Sequence, residues 1–498
     1  MANTEGPNSS GQPNPAAIIN QLVGSSAPNS LATLQQLQQL SLKAEAARDF
    51  DAALQYNEAG GEFIEAAPPT FKAAEITLQL SRGRLLFKSG RYEEAAIALR
   101  TALEVSAQTT FLTPDHRNLT CYQACHILAG VRFHQKHFSE ARTLIEHAGI
   151  YAKERFGETS LEFIGLLLEK TQISSAMNQN IKEVLADGQR CKRAILGANL
   201  LSDDQTASLA LDLGMIYYEH GVWDEANVVL QIAAALSDEP ILKTKALLTL
   251  GHIAFHQSDT AEVTIYLEDA MKMWMDRAFP PHLERHMVNL QGLVAQAEGD
   301  EEGYLHYLQR ACEIEPTEQL SFEDQIDLHS RRATYLRLKG FPEEAALEVS
   351  QAEALVTREM VAPLQRFKFY LEQSYIHYTD CNYEISLSGI DKAIELAGSS
   401  LKSNPILLAR AYALRAYNWS AILSEPCTSS SPQLSGAQRN LLKDGEMALK
   451  LLSDADSEHS LQKQILNLLI RTCEEQGMKR PLQLLRSRLD QLSFRFPD

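Results

Sequence analysis

The feature that most constrains this chain is a set of small residues, glycines and alanines that returns at fixed offsets. Around Gly214 the order is Leu213, Gly214, Tyr217, Gly221, Trp223, Ala226, Leu230 and Ala233. From Gly292 the same places give Ala295, Gly299, Leu308, Ala311 and then Pro316, and from Ala333 they give Leu336, Gly340, Ala345, Val349 and Ala352. Gly83 leads to Leu86, Gly90, Tyr92, Ala95, Leu99 and Ala102, and Ala129 leads to Phe138, Ala141, Ile145 and Ala148. Fainter copies start at Gly251 and Ser374. One such unit cannot bury both of its faces, so copies must stack into a solenoid. A length of 498 residues therefore sets no domain count, although about 150 residues per domain would otherwise suggest roughly three.

Each offset has a mechanical reason. The first small residue lets the first helix of a pair approach the second, and the Gly seven places on ends that helix in the left-handed region. The small residue five further on lies where the two backbones cross, and the larger residues between them fill the pair. Leu34, Leu37, Leu40 and Ala44 already recur at helical spacing, and no later stretch alternates as a half-buried strand would. The chain is expected to be all-α, built of antiparallel helix pairs with helices of about 12 to 20 residues.

This small, Gly, aromatic, Ala, large, Ala order, with Pro316 in the closing place, resembles the tetratricopeptide repeat, most closely over Leu213 to Ala233. The resemblance implies a right-handed superhelix, an α-solenoid, with a concave groove lined by the first helix of each pair. Intervals between first marks from Gly214 to Ser374 are 37, 41, 41 and 41 residues, with 46 from Gly83 to Ala129. That exceeds the usual period of about 34. The longer unit is similar to the spacing in kinesin light chains and in helical subunits of cell-division assemblies such as the cohesin loader. The expected organisation is a disordered tail over 1–30, a repeat array over 31–404, and irregular closing pairs over 405–498 with an exposed loop at 424–437. Within the array, Leu31 to Ala66 supplies an N-terminal pair and Ser160 to Gly197 a degenerate eighth copy.

Composition excludes several functions. A net charge of -18 argues against a nucleic-acid surface, which needs a basic face. No apolar run approaches the roughly 18 to 20 residues of a membrane span. Seven scattered Cys without a Cys-x-x-Cys pair are neither a disulfide framework nor a zinc ribbon. The first 42 residues lack Lys and Arg, unlike a secretory or mitochondrial leader, and point to the cytoplasm or nucleus. Phosphate-loop, dinucleotide, zinc-protease and nucleophile-elbow motifs are absent, so neither an enzyme nor a cofactor is expected. Cys121, Cys125, His126, His134 and His137 are the nearest approach to a metal site, and ordinary packing with solvated histidines is the favoured reading. Acid pairs such as Glu93-Glu94 and Glu343-Glu344 suit the positive start of the second helix of a pair.

The expected function is a non-enzymatic protein-interaction scaffold or adaptor, a subunit of a larger complex that holds an extended partner segment in its groove. A regulatory sensor for a small ligand or short signal peptide is the alternative from another class, and a motor cargo adaptor differs only in partner. Four residues after the first mark stand Phe87, Phe133, Tyr218, Phe255 and Tyr378, an aromatic row. Charged groove positions are Arg84, Lys245, Arg337 and Lys368 against Asp327. A mildly basic, aromatic groove inside an acidic protein should prefer a segment with acidic and apolar residues. The Lys and Asn that clamp a terminal carboxylate in chaperone-binding tetratricopeptide proteins are missing, their places holding pairs such as Leu80 with Arg84 and His126 with Gly130. Ser431-Pro432 is a candidate phosphorylation site in the expected loop.

Overall fold

The protein is described by a computed structural model covering residues 15–25, 31–65, 72–109, 112–177, 181–198, 201–257, 259–275, 278, 280–314, 320–358, 361–400, 405–424, 431–453, 459–475 and 479–495. These residues form 23 α-helices and no strand. Two compact units divide the chain, Met1–Ser174 with Arg193–Leu201, and Ser175–Lys192 with Ser202–Asp498.

The first unit opens with α1 (Pro15–Ser25), followed by α2 (Leu31–Ala46) with α3 (Phe50–Glu65), α4 (Lys72–Lys88) with α5 (Tyr92–Gln108), and α6 (Pro114–His134) with α7 (Phe138–Phe156). Each of these last three is a packed pair, and consecutive pairs stack through α3 on α4 and α5 on α6. The division between units runs through α8 (Leu161–Ala176) and α9 (Ile181–Gly197). The second unit continues as α10 (Asp203–Glu219) with α11 (Trp223–Leu236), α12 (Pro240–His256) with α13 (Thr260–Lys272), and α14 (Pro281–Glu298) with α15 (Glu301–Glu313). Next come α16 (Phe322–Leu338) with α17 (Pro342–Arg358), and α18 (Pro363–Thr379) with α19 (Tyr383–Ser400). It closes with α20 (Pro405–Ser424) on α21 (Ser431–Leu451) and α22 (His459–Glu475) on α23 (Lys479–Arg495).

The repeat offsets are visible as contacts. A Cβ on Gly83 would lie 2.5 Å from Cγ of Leu99, and one on Gly214 would lie 2.6 Å from Cγ of Leu230. The same leucine, sixteen residues on, fills the space that the first small mark leaves open. Seven places later the backbone is left-handed at Gly90, Gly221, Gly299 and Gly340, and also at Arg48, Lys136 and Cys381. The following amide then reaches back to a carbonyl of the first helix, as Arg91 to Leu86 and Val222 to Tyr217, both at 2.9 Å. Side chains at Arg48, Lys136 and Cys381 tolerate a conformation that costs about 1 kcal/mol because the hairpin turn demands it. Arg48 also marks a pair whose first mark is Ser41, a buried serine that donates to the Ala53 carbonyl at 2.9 Å.

Two expectations change. Part of the tail at 1–30 is helical and packed: Ile18, Ile19 and Leu22 of α1 lie against Leu37, Ala52, Tyr56 and Ala59 of the first pair. Three apolar side chains at helical spacing suffice to seat it. Residues 1–14 and 26–30 lie outside the described residues. The second half of the expected loop at 424–437 belongs to α21, whose first turn carries Pro432 where its missing amide costs nothing. Residues 425–430 lie outside the described residues. The closing pairs share a core of Ala409, Ala413, Leu441, Leu449, Ile465 and Leu469, among others. At its side the buried Asp444 carboxylate accepts two bonds from Arg415, both 2.8 Å, and one from Trp419 at 3.1 Å.

Candidate partner-binding face

The face in question is carried by the first helix of each pair, and its residues are set by how those helices start. Ser202 caps α10 through a reciprocal box with Gln205, while prolines at the first turn begin α12, α14 and α18. These starts fix the helical phase of everything that follows.

In the first unit, the expected groove residues are largely taken up by the array itself. Arg84 bonds to Glu45 at 2.8 Å, and Lys88 reaches the other oxygen of the same carboxylate at 2.8 Å. Burial opposes charge on Glu45, but its two cationic partners outweigh that and hold its carboxyl below the ordinary value. Phe87 packs on Tyr92 and His134 with ring centres 6.1 and 5.5 Å away, and Phe133 meets Phe138 edge-on at 5.5 Å. Tyr92 and Phe138 open the second helices of the same pairs, so both aromatic positions are used in hairpin packing.

In the second unit the same positions behave differently. Tyr378 packs toward Tyr383, 6.1 Å away, in the hairpin manner, and Phe255 is half-buried beside His256. Tyr218, by contrast, meets a residue 150 positions on: its hydroxyl accepts a 2.8 Å bond from Nζ of Lys368, which also sits 5.1 Å from its ring centre. Helices α10 and α18, first members of pairs four repeats apart, touch here. The inner face of this unit is thus closed on itself. Arg337 sits 6.0 Å from the Tyr375 ring, and Lys245 is exposed, its charge acting on Asp212.

The same unit carries a cluster of polar side chains around Asp327, the acidic groove position, whose pairings the sequence reading did not foresee. Asn289 donates to Asp327 at 2.7 Å, Arg331 lies 3.6 Å from the same carboxylate, and Thr334 donates to Glu372 at 2.8 Å. Burial works against the Arg331 charge, and Asp327 and Glu372 outweigh it, raising the guanidinium above its ordinary value. Burial pushes the Glu219 carboxyl up to about 7, with the Glu323 carboxylate adding to the shift. His252 and His256 are held well below the ordinary histidine value by burial first and by the Lys368 charge second. The signal for these two was in the sequence: they stand one helical turn apart, one and five places after Gly251.

The residues weighed as a metal cluster are engaged separately. Cys125 is buried, its thiol pushed up to about 11 by desolvation, and Cys121 shares a hydrogen bond with Tyr151. His126 pairs with Glu169 at 2.7 Å. No group of three metal-ligating side chains is assembled among the described residues, and none of their helices is long and apolar enough to cross a membrane.

No protein-family model matches the chain, and no curated protein matches it. Among solved structures 221 chains match. BtubC (BKLC) from P. vanneervenii is 19% identical, with 49% of this chain and 94% of that one covered and a TM-score of 0.35. The apo form of the quorum sensor NprR from B. thuringiensis is 11% identical, with 68% and 92% covered and a TM-score of 0.47. The apo form of RapI is 11% identical, with 66% and 99% covered and a TM-score of 0.35. At such distances those descriptions belong to those proteins alone.

Proposed function

We propose that the chain is a non-enzymatic protein-interaction scaffold or adaptor, a subunit of a multiprotein complex in the cytoplasm or nucleus. It holds an extended partner segment on the face carried by its first helices. One observation carries the reading: Lys245, Arg337 and Lys368, all in the second unit, form no salt bridge with any described carboxylate, whereas Arg84 in the first unit is ion-paired. Cations without a salt bridge along one face of an acidic protein favour a partner with acidic side chains, and the aromatic positions beside them favour apolar anchors. The test is affinity capture of the tagged full chain, with Lys245→Glu/Arg337→Glu as the variant. The expected result is a partner held by the parent and released by the variant, at unchanged melting temperature and with loss of binding at raised salt. Retention by a folded variant moves the binding surface elsewhere.

A second reading, a sensor of a short peptide or small ligand, is favoured by the closure of Lys368 on Tyr218, which encloses part of the inner face. A captured partner of defined sequence that binds through a long segment would argue against it. A motor cargo adaptor is the first reading with a different partner.

A further inference from the structure

In each pair of the second unit, the position fourteen residues after the first small mark lies on the second helix, at Val228, Ile265, His306, Leu347 and Ser388. Its direction follows from its neighbours. Ala226 and Leu230, two residues to either side of Val228, are fully buried, and Ile265 stands likewise between buried Val263 and Leu267. At about 100° per residue, a position midway between two such residues points away from the pair, where polar side chains are expected. Val228, Ile265 and Leu347 are instead 43%, 57% and 61% exposed, and Ile385, one turn before Ser388, is 54% exposed. The pairs that carry them stack in succession, α11 on α12, α13 on α14, α15 on α16 and α17 on α18. A single exposed apolar side chain is ordinary, but the same place in successive stacked pairs makes a row. Charge is sorted with it. The second helices α11, α13, α15, α17 and α19 carry 15 acidic and 4 basic residues, a net of -11, whereas the first helices α10, α12, α14, α16 and α18 carry 10 and 8, a net of -2. Exposed carboxylates stand one turn before the row, Asp224 at Val228 and Glu343 at Leu347.

We propose that this row docks an amphipathic helix of a partner protein, whose apolar stripe lies on Val228, Ile265, Leu347 and Ile385 and whose flanks are rich in Lys and Arg. Charge complementarity selects the basic flanks, because an acidic helix would meet like charge along its whole length. Spacing suits a helix laid across the pairs: packed helices lie about 8–10 Å apart, and residues seven apart on a helix are separated by about 10 Å along its axis. One apolar residue every two turns then meets each pair. This surface is opposite in chemistry to the face of the first helices, and its test does not depend on what that face holds.

The test measures binding to the full chain by fluorescence anisotropy. The probe is a labelled, capped helical peptide of about 20 residues, long enough to hold its shape, with Leu along one stripe and Lys on both flanks. Three counterparts replace its Leu by Gln, its Lys by Glu, or a central residue by Pro. The parent peptide is expected to bind about tenfold tighter than each counterpart, and more weakly at raised salt. Ile265→Gln/Leu347→Gln should weaken it about tenfold and Val228→Gln several-fold, at unchanged melting temperature, since all three side chains are exposed. Val228→Gln carries the test if the double variant does not fold. Equal binding of the Gln counterpart would reduce the attraction to charge alone, and equal binding of the Glu counterpart would remove the charge match. Equal binding of the Pro counterpart would make the occupant an extended segment, and full binding by the folded variants would place the contact elsewhere. Any one of these four results overturns the proposal.

Discussion

Phe87 and Tyr218 occupy the same place in the repeat, four residues after a glycine that admits a leucine from the second helix. In the first unit that place closes a hairpin locally, ring on ring with Tyr92, and the nearby basic position, Arg84, is neutralised by Glu45. In the second unit it closes the inner face over a long range, hydroxyl on Lys368, whose ammonium forms no salt bridge with a carboxylate among the described residues. The repeat therefore decides where a side chain emerges, and the residue that meets it decides its use. A polar, incompletely matched inner face is the one that has something to offer a partner.

The largest effects should be common to both units, because the hairpin rule is shared. Gly83→Ala and Gly214→Ala each place a methyl group within 2.6 Å of leucine side-chain carbons, so Leu99 or Leu230 must move. Each should cost about 1–3 kcal/mol of stability, read as a lowered melting temperature. A neutral result at Gly214 alone would mean that its pair is looser than that of Gly83. The next effect belongs to the first unit. Deleting residues 1–30 removes the apolar contacts of Ile18, Ile19 and Leu22, and should cost about 1–2 kcal/mol after the ordering entropy of α1 is discounted. An unchanged melting temperature would detach α1 from the core.

The hairpin register was legible in the sequence because it depends on residue size at fixed spacing. Gly90, Gly221, Gly299 and Gly340 all take the left-handed place that the pattern requires. Ser41 and Arg48 occupy the same two roles without either hallmark, since a small hydroxyl replaces the small apolar residue and a strained arginine replaces glycine. Seating of α1 was missed because Gly, Pro, Asn and Ser around it outweigh three apolar residues in any composition argument. The Tyr218–Lys368 contact was out of reach for another reason. It joins pairs four repeats apart, and no local period encodes which residues meet when an array closes on itself.

Glu219 gives a smaller, pH-dependent effect confined to the second unit. Its carboxyl is raised from 4.5 to about 7, so the folded chain holds its proton more tightly than the unfolded chain does. The stability this contributes is complete below about pH 4.5 and is lost as pH rises through about 7. His252 and His256 act oppositely, since they stay neutral in the fold and oppose acidification below their ordinary value of 6.5. Comparison with Glu219→Gln isolates the carboxyl: the variant should gain melting temperature over the parent from pH 5 to pH 8. An equal difference at both pH values would place Glu219 in water. The smallest effect should come from Arg84→Met, since its side chain is well exposed and Lys88 still holds Glu45; about 0.5 kcal/mol is expected. A larger loss would erase the contrast drawn between the two units.

The central claim is that the inner face of the second unit is closed by Lys368 on Tyr218. A double-mutant cycle of Tyr218→Phe and Lys368→Met, followed by chemical denaturation of the full chain, tests it most directly. A coupling energy of about 1 kcal/mol is predicted, the sum of one hydrogen bond and one cation–ring contact in a partly desolvated setting. Strictly additive single-mutant effects would show that the two side chains do not meet in solution and that this face stands open.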